Sequence, residues 1–142
     1  MEERRRHQRY SVIHEMGFPI QLSIENNIVP GVLVDLSAGG MALLAYTNLP
    51  FGTQISLTIS LPGLSTKALK GKVVWAIPKA EMWRLGISFT TIDSADFRLI
   101  NKMAFEYNDC DLKYSLGVND VCTVECMYYP LCQKPIKKTN KK

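Results

Sequence analysis

Between Thr53 and Leu61 the sequence T-Q-I-S-L-T-I-S-L sets Ile55, Leu57, Ile59 and Leu61 against Gln54, Ser56, Thr58 and Ser60 in an unbroken two-residue alternation. Only an extended chain sorts such a pattern into one apolar and one polar face, so the segment reads as a half-buried β-strand. P-I-Q-L-S-I-E repeats the device, with Ile20, Leu22 and Ile24 opposite Gln21, Ser23 and Glu25. I-V-P-G-V-L-V-D and G-G-M-A-L-L-A-Y are further strand-length runs. Two more strands are expected near Ala68 to Ile77 and near Met82 to Phe89, joined through Pro78-Lys79-Ala80-Glu81. Turn residues at Glu25-Asn26-Asn27, at Asn48 to Gly52 and at Pro62-Gly63 recur at strand-length intervals, which favours a meander or barrel of about six strands over a parallel sheet.

After Ile92 the period changes. Asp93 or Ser94 can cap a helix in which Phe97, Ile100, Ala104 and Tyr107 fall on one stripe, suited to covering an open end of the barrel and ending near Asn108. The chain has 142 residues, 46% of them hydrophobic. A chain of that size buries roughly two-thirds of its unfolded surface, so its core needs neither metal nor disulfide for stability. No apolar run approaches the roughly 20 residues of a membrane helix, and no apolar stretch follows Glu2 to Arg6 as a secretory signal requires. The expected location is cytoplasmic. Composition divides the chain into an arm at residues 1–12, a barrel with its closing helix at 13–108, and an extension at 109–142.

Charge is uneven along the chain. Residues 1–9 carry four Arg against two Glu, and residues 133–142 carry five Lys and no acid, while the body between them is slightly acidic. The Lys-rich end has the composition of a solvated tail. From Tyr10 to Thr66 there is no Lys or Arg, so an anion bound by side chains from the first half must meet the arginine arm.

Two constellations carry chemistry. In R-R-R-H-Q-R, Arg5 and Arg9 form an R-x-x-x-R pair with Arg4 and Arg6 alongside. Guanidinium groups stay charged and present a planar fork suited to phosphate oxygens and to the O6/N7 edge of guanine. In Asp35-Leu36-Ser37-Ala38-Gly39-Gly40, between two expected strands, Asp35 accepts hydrogen bonds from a purine amine or an arginine. Ser37 can donate to a phosphate, and the glycines let backbone and ligand approach closely. Alone, either constellation reads as a solvated arm or an ordinary turn.

Taken together, and with G-K-V-V-W at Gly71 to Trp75 and L-G-I-S-F at Leu85 to Phe89, they make the chain resemble the PilZ family, bacterial receptor domains for cyclic di-GMP. The resemblance covers roughly residues 4–108. It implies a mainly β fold: a six-stranded antiparallel β-barrel with a C-terminal α-helix and a flexible N-terminal arm that folds over bound dinucleotide. By the same resemblance Arg5 and Arg9 grip phosphate and guanine, while Asp35, Ser37 and Gly40 line the other side. Arg4, just before the pair, is a candidate for binding two stacked dinucleotides rather than one. Trp75 matches the family's strand aromatic and is a candidate base contact, the other reading being barrel core. The implied function is that of a receptor or adaptor that alters its contacts with a protein effector.

All four cysteines, Cys110, Cys122, Cys126 and Cys132, lie in the last 33 residues, and none makes a C-x-x-C pair. In a reducing compartment such clustering favours metal or redox chemistry, so zinc or an iron–sulfur cluster is one reading; disulfide pairs and four unrelated thiols are the others. An enzyme is not expected: the only histidines are His7 and His14, in or near the arm, with no nucleophile elbow, phosphate loop or carboxylate pair. The alternatives are a nucleic-acid-binding small barrel, disfavoured by the missing basic residues of the middle strands, and a PilZ module that docks proteins without ligand.

Overall fold

The computed structural model describes residues 11–14, 16–117 and 126–132. Among these residues eight strands form: β1 (Phe18–Ile24), β2 (Asn27–Ser37), β3 (Gly40–Ala45), β4 (Gln54–Leu57), β5 (Ser60–Leu61), β6 (Leu64–Ser65), β7 (Leu69–Lys79) and β8 (Met82–Thr91). Six of them close an antiparallel barrel in the order β1-β2-β3-β8-β7-β4, as expected. Closure gives each barrel strand two neighbours, and inward positions of the barrel strands share one core. Leu22, Leu33, Leu43, Leu69, Val73 and Leu85 are fully buried in it.

The Thr53–Leu61 alternation behaves differently from its expectation as one strand. Ile55, Leu57, Ile59 and Leu61 are all buried, but the chain leaves the barrel after Leu57. Thr66 replaces the lost ladder: its hydroxyl accepts the Ile59 amide at 2.9 Å and its own amide donates to the Ile59 carbonyl at 2.9 Å. The Pro62-Gly63 turn then folds β5 onto β6 as a separate hairpin.

Helix α1 (Ser94–Ser115) begins where the sequence places it, with the Asp93 carboxylate accepting the Ala95 amide at 3.0 Å. Ile100, Met103 and Ala104 form its buried stripe. The helix does not end near Asn108 but continues to Ser115, stopping before Gly117. Polar residues interrupt the apolar stripe after Tyr107, yet the Asp109–Lys113 pair, one helical turn apart at 3.1 Å, supports the added turns. The Asn108 amide donates to the Ala104 carbonyl at 2.8 Å and to the Val12 carbonyl at 2.9 Å, tying the helix to the base of the arm.

Residues 126–132, part of the extension expected to be separate from the barrel, pack on the core. Tyr128 and Leu131 are buried, and a short 3₁₀ turn, Tyr129–Leu131, sets Pro130 against Gly63 of the β5–β6 turn. The Met127 amide donates to the Glu106 carboxylate at 2.7 Å, and Tyr128 packs edge-on against Tyr107 with ring centroids 4.9 Å apart. Among the described residues no helix is long and apolar enough to cross a membrane.

Candidate functional site

Strict alternation in β2 would send Asp35 inward with Leu33. A bulge between Leu33 and Asp35 prevents it: Leu33 pairs with Leu43, Asp35 pairs with Ala42, and Val34 is the extra residue. The frame slips by one, so Leu36 takes the core position and Asp35 turns to the outer face. The same device operates in β7. Leu69, Gly71 and Val73 point inward; the register then shifts between Val73 and Trp75, and Trp75 faces outward at 40% exposure. The barrel-core alternative for Trp75 is therefore wrong.

The registers align these residues in rows across β2, β3, β8 and β7. One row runs Ser37, Gly40, Ser88, Lys72; the next runs Asp35, Ala42, Gly86, Trp75; the third contains Leu44, Arg84 and Ile77. The floor is made of small residues, with Asp35 and Ser37 on one flank and Trp75 and Lys72 on the other. These rows make up a trough on the outer face of the barrel, floored by Gly40, Ala42, Gly86 and Ser88.

Two glycines of these rows are demanded by contact. A Cβ at Gly40 would run into the Ile87 carbonyl oxygen of β8, and one at Gly86 would run into the Trp75 indole, which lies over it. Gly86→Ala is expected to displace that ring and change Trp75 fluorescence in a Trp83→Phe background; unaltered emission would mean that the indole does not rest on Gly86.

Arg84 and His14 both reach Asp35 from other segments. Arg84 Nη2 lies 2.7 Å from its Oδ2, and His14 Nδ1 lies 3.4 Å from its Oδ1. Ser37 closes its own turn, donating to the Gly40 carbonyl at 3.3 Å and accepting the Gly39 amide at 3.2 Å. The base of the arm is pinned beside both: Ile13 and Leu36 exchange backbone hydrogen bonds of 2.8 and 3.0 Å, and Met16 donates to the Val34 carbonyl at the bulge at 2.7 Å. Arg4, Arg5 and Arg9 lie outside the described residues, as do His7 and the Lys-rich tail. Arg84 is absent from the sequence-derived site. A signal existed, because it is the one basic residue in an otherwise apolar and neutral strand, but its partner is 49 positions away.

The family model for the PilZ domain matches residues 3–106, spanning both motifs and the whole trough. The chain belongs to the PilZ domain family. Solved structures agree at the level of the fold. This PilZ chain is similar to the Bacillus subtilis inhibitor of motility MotI/DgrA, at 19% identity and a TM-score of 0.60, over 71% of this chain and 50% of that one. It is similar to YcgR of Escherichia coli in complex with c-di-GMP, at 19% identity and a TM-score of 0.60, over 79% and 50%. The separate PilZ domain of that YcgR, also with c-di-GMP, matches at 17% identity and a TM-score of 0.52, over 78% of this chain and 97% of the domain. The chain thus spans about half the length of MotI and of YcgR. No curated protein matches it.

The expectation of zinc or an iron–sulfur cluster finds no support among the described residues, where no three His, Cys, Asp or Glu side chains come together to hold a metal ion. Cys110 is carried by α1, whereas Cys126 and Cys132 bracket the docked turn and pack against the core. Cys122 lies outside the described residues. Burial, with the nearby Glu106 carboxylate, pushes the Cys126 thiol above its ordinary range, and burial pushes the Tyr128 phenol up as well. Both groups are therefore held in their neutral forms. Folding disfavours the ionised form of each, so stability falls as pH rises above the ordinary thiol value of 9.0 and then the ordinary phenol value of 10.0. Cys126 is expected to alkylate more slowly at pH 8 in the folded protein than in the denatured chain, by peptide mass mapping; equal rates would contradict its burial.

Proposed function

We propose that the chain is a cyclic di-GMP receptor whose ligand lies along the outer trough of β2, β3, β8 and β7 while Arg5 and Arg9 close over it from the arm. The observation that carries this reading is that two independent bulges turn Asp35 and Trp75 onto one face, beside Ser37, Gly40 and the anchored base of the arm. The flanks suit the chemistry of the dinucleotide. An acceptor-only carboxylate matches the donor edge of guanine, and an exposed indole offers a surface for stacking. MotI and the c-di-GMP complexes of YcgR support the same reading through their shared fold.

The role is that of a receptor and adaptor rather than a catalyst, acting in the cytoplasm on a protein effector. Ligand that engages the arm and the trough together changes which surface is displayed, and the effector reads that change. Arg4 sets the stoichiometry, favouring two stacked dinucleotides. Titration calorimetry with cyclic di-GMP tests affinity and stoichiometry together. Saturable binding with two nucleotides per chain is expected, falling to one in Arg4→Ala; no heat and no NMR shifts at saturating nucleotide would overturn the receptor reading and leave a protein-docking module.

A further inference from the structure

Resting on that reading, we propose that Arg84 is a positioning residue that determines nucleotide specificity, by aiming the Asp35 carboxylate at the amine-bearing edge of guanine. Arg84 reaches from β8 across β3 to β2, and its Nη2 lies 2.7 Å from Asp35 Oδ2, with side-chain exposures of 31% and 18%. A carboxylate on a short side chain turns readily about its last bond. Engaging Oδ2 with a planar guanidinium restrains that rotation and leaves Oδ1 on the side of His14 and the arm base.

The pair also settles a charge conflict. Asp35 stands beside a trough that is to hold two phosphates, and a bare carboxylate there would repel them. Arg84 cancels that charge at every physiological pH without removing the acceptor. Guanine presents N1–H and an exocyclic 2-amine as adjacent donors, a geometry an aimed carboxylate can accept. Hypoxanthine keeps N1–H and lacks the amine, so the cyclic dinucleotide of inosine has the same sugars and phosphates but one donor fewer per base. The ratio of the two affinities reports the aim of Asp35, whereas their common magnitude reports fold and charge.

The experiment is titration calorimetry of the wild type, R84K and R84M with cyclic di-GMP and with cyclic di-IMP, each protein checked by its thermal midpoint. The wild type is expected to favour cyclic di-GMP by about tenfold or more, the scale of one hydrogen bond to a charged acceptor. R84M is expected to bind both nucleotides more weakly and to discriminate by no more than about threefold. R84K restores charge as a point rather than a fork, so it recovers affinity while discrimination stays low. Should R84M fail to fold, R84K carries the test, since its ratio is expected to fall at a thermal midpoint near that of the wild type. A purely structural Arg84 would weaken both nucleotides equally. Wild-type discrimination retained in the folded variants overturns this inference alone; a wild type that binds neither nucleotide overturns the receptor reading and this inference with it.

Discussion

Arg5→Ala and Arg9→Ala are each expected to weaken cyclic di-GMP binding by about 2–5 kcal/mol, the cost of truncating one partner of a buried, hydrogen-bonded charge pair. The barrel itself offers little to replace them. No Lys or Arg occurs from Tyr10 to Thr66, and Arg84, on the same face, is already paired with Asp35. Lys72 stands in the row of Ser88 and Gly40 but is exposed, so Lys72→Ala is expected to cost no more than about 1 kcal/mol. Chain length puts the trough within the arm's reach. Ile13 is fixed to Leu36 between Asp35 and Ser37, and fully extended chain spans at most about 14 Å over the four residues to Arg9 and about 29 Å over the eight to Arg5. Calorimetric affinities near wild type in both variants would remove the arm from the binding mechanism, whatever the trough does.

Leu131→Ala is expected to destabilise the whole protein by about 2–5 kcal/mol, as truncation of a buried leucine does. Leu131 is 3% exposed and joins the same core cluster as Leu64 and Met103, although it lies beyond the closing helix. Pro130 against Gly63, Tyr128 against Tyr107 and the Met127 amide on Glu106 hold the turn that delivers it. Equilibrium urea unfolding checks the prediction. A loss under about 0.5 kcal/mol, the range of an ordinary surface substitution, would mean that the segment is not part of the cooperative unit. The cysteines then acquire a structural context: Cys126 and Cys132 flank a docked turn, and their half-burial follows from that docking.

Part of this molecule is readable residue by residue. Alternation at Ile20, Leu22 and Ile24 and at Ile55 and Leu57 marks barrel strands, because a pleated chain facing one core must repeat every two residues. Asp93 before Phe97 and Ile100 marks the start of α1, because a cap and a three-to-four spacing are local properties. The docked turn at Tyr128 to Leu131 was not readable in that way. Its two apolar side chains have no period, and their burial depends on a surface supplied by Gly63 and Tyr107, far away along the chain.

The same division runs through the site. Sequence by itself determined which groups are available: the arginine pair, the carboxylate and hydroxyl of D-x-S-x-x-G, and a strand tryptophan. Only the tertiary structure decided where Asp35 and Trp75 face and that Arg84 meets Asp35. A bulge is chosen by how two strands share a register, and an ion pair across an intervening strand by how a barrel closes. Both belong to contacts between distant segments, to which local spacing is blind.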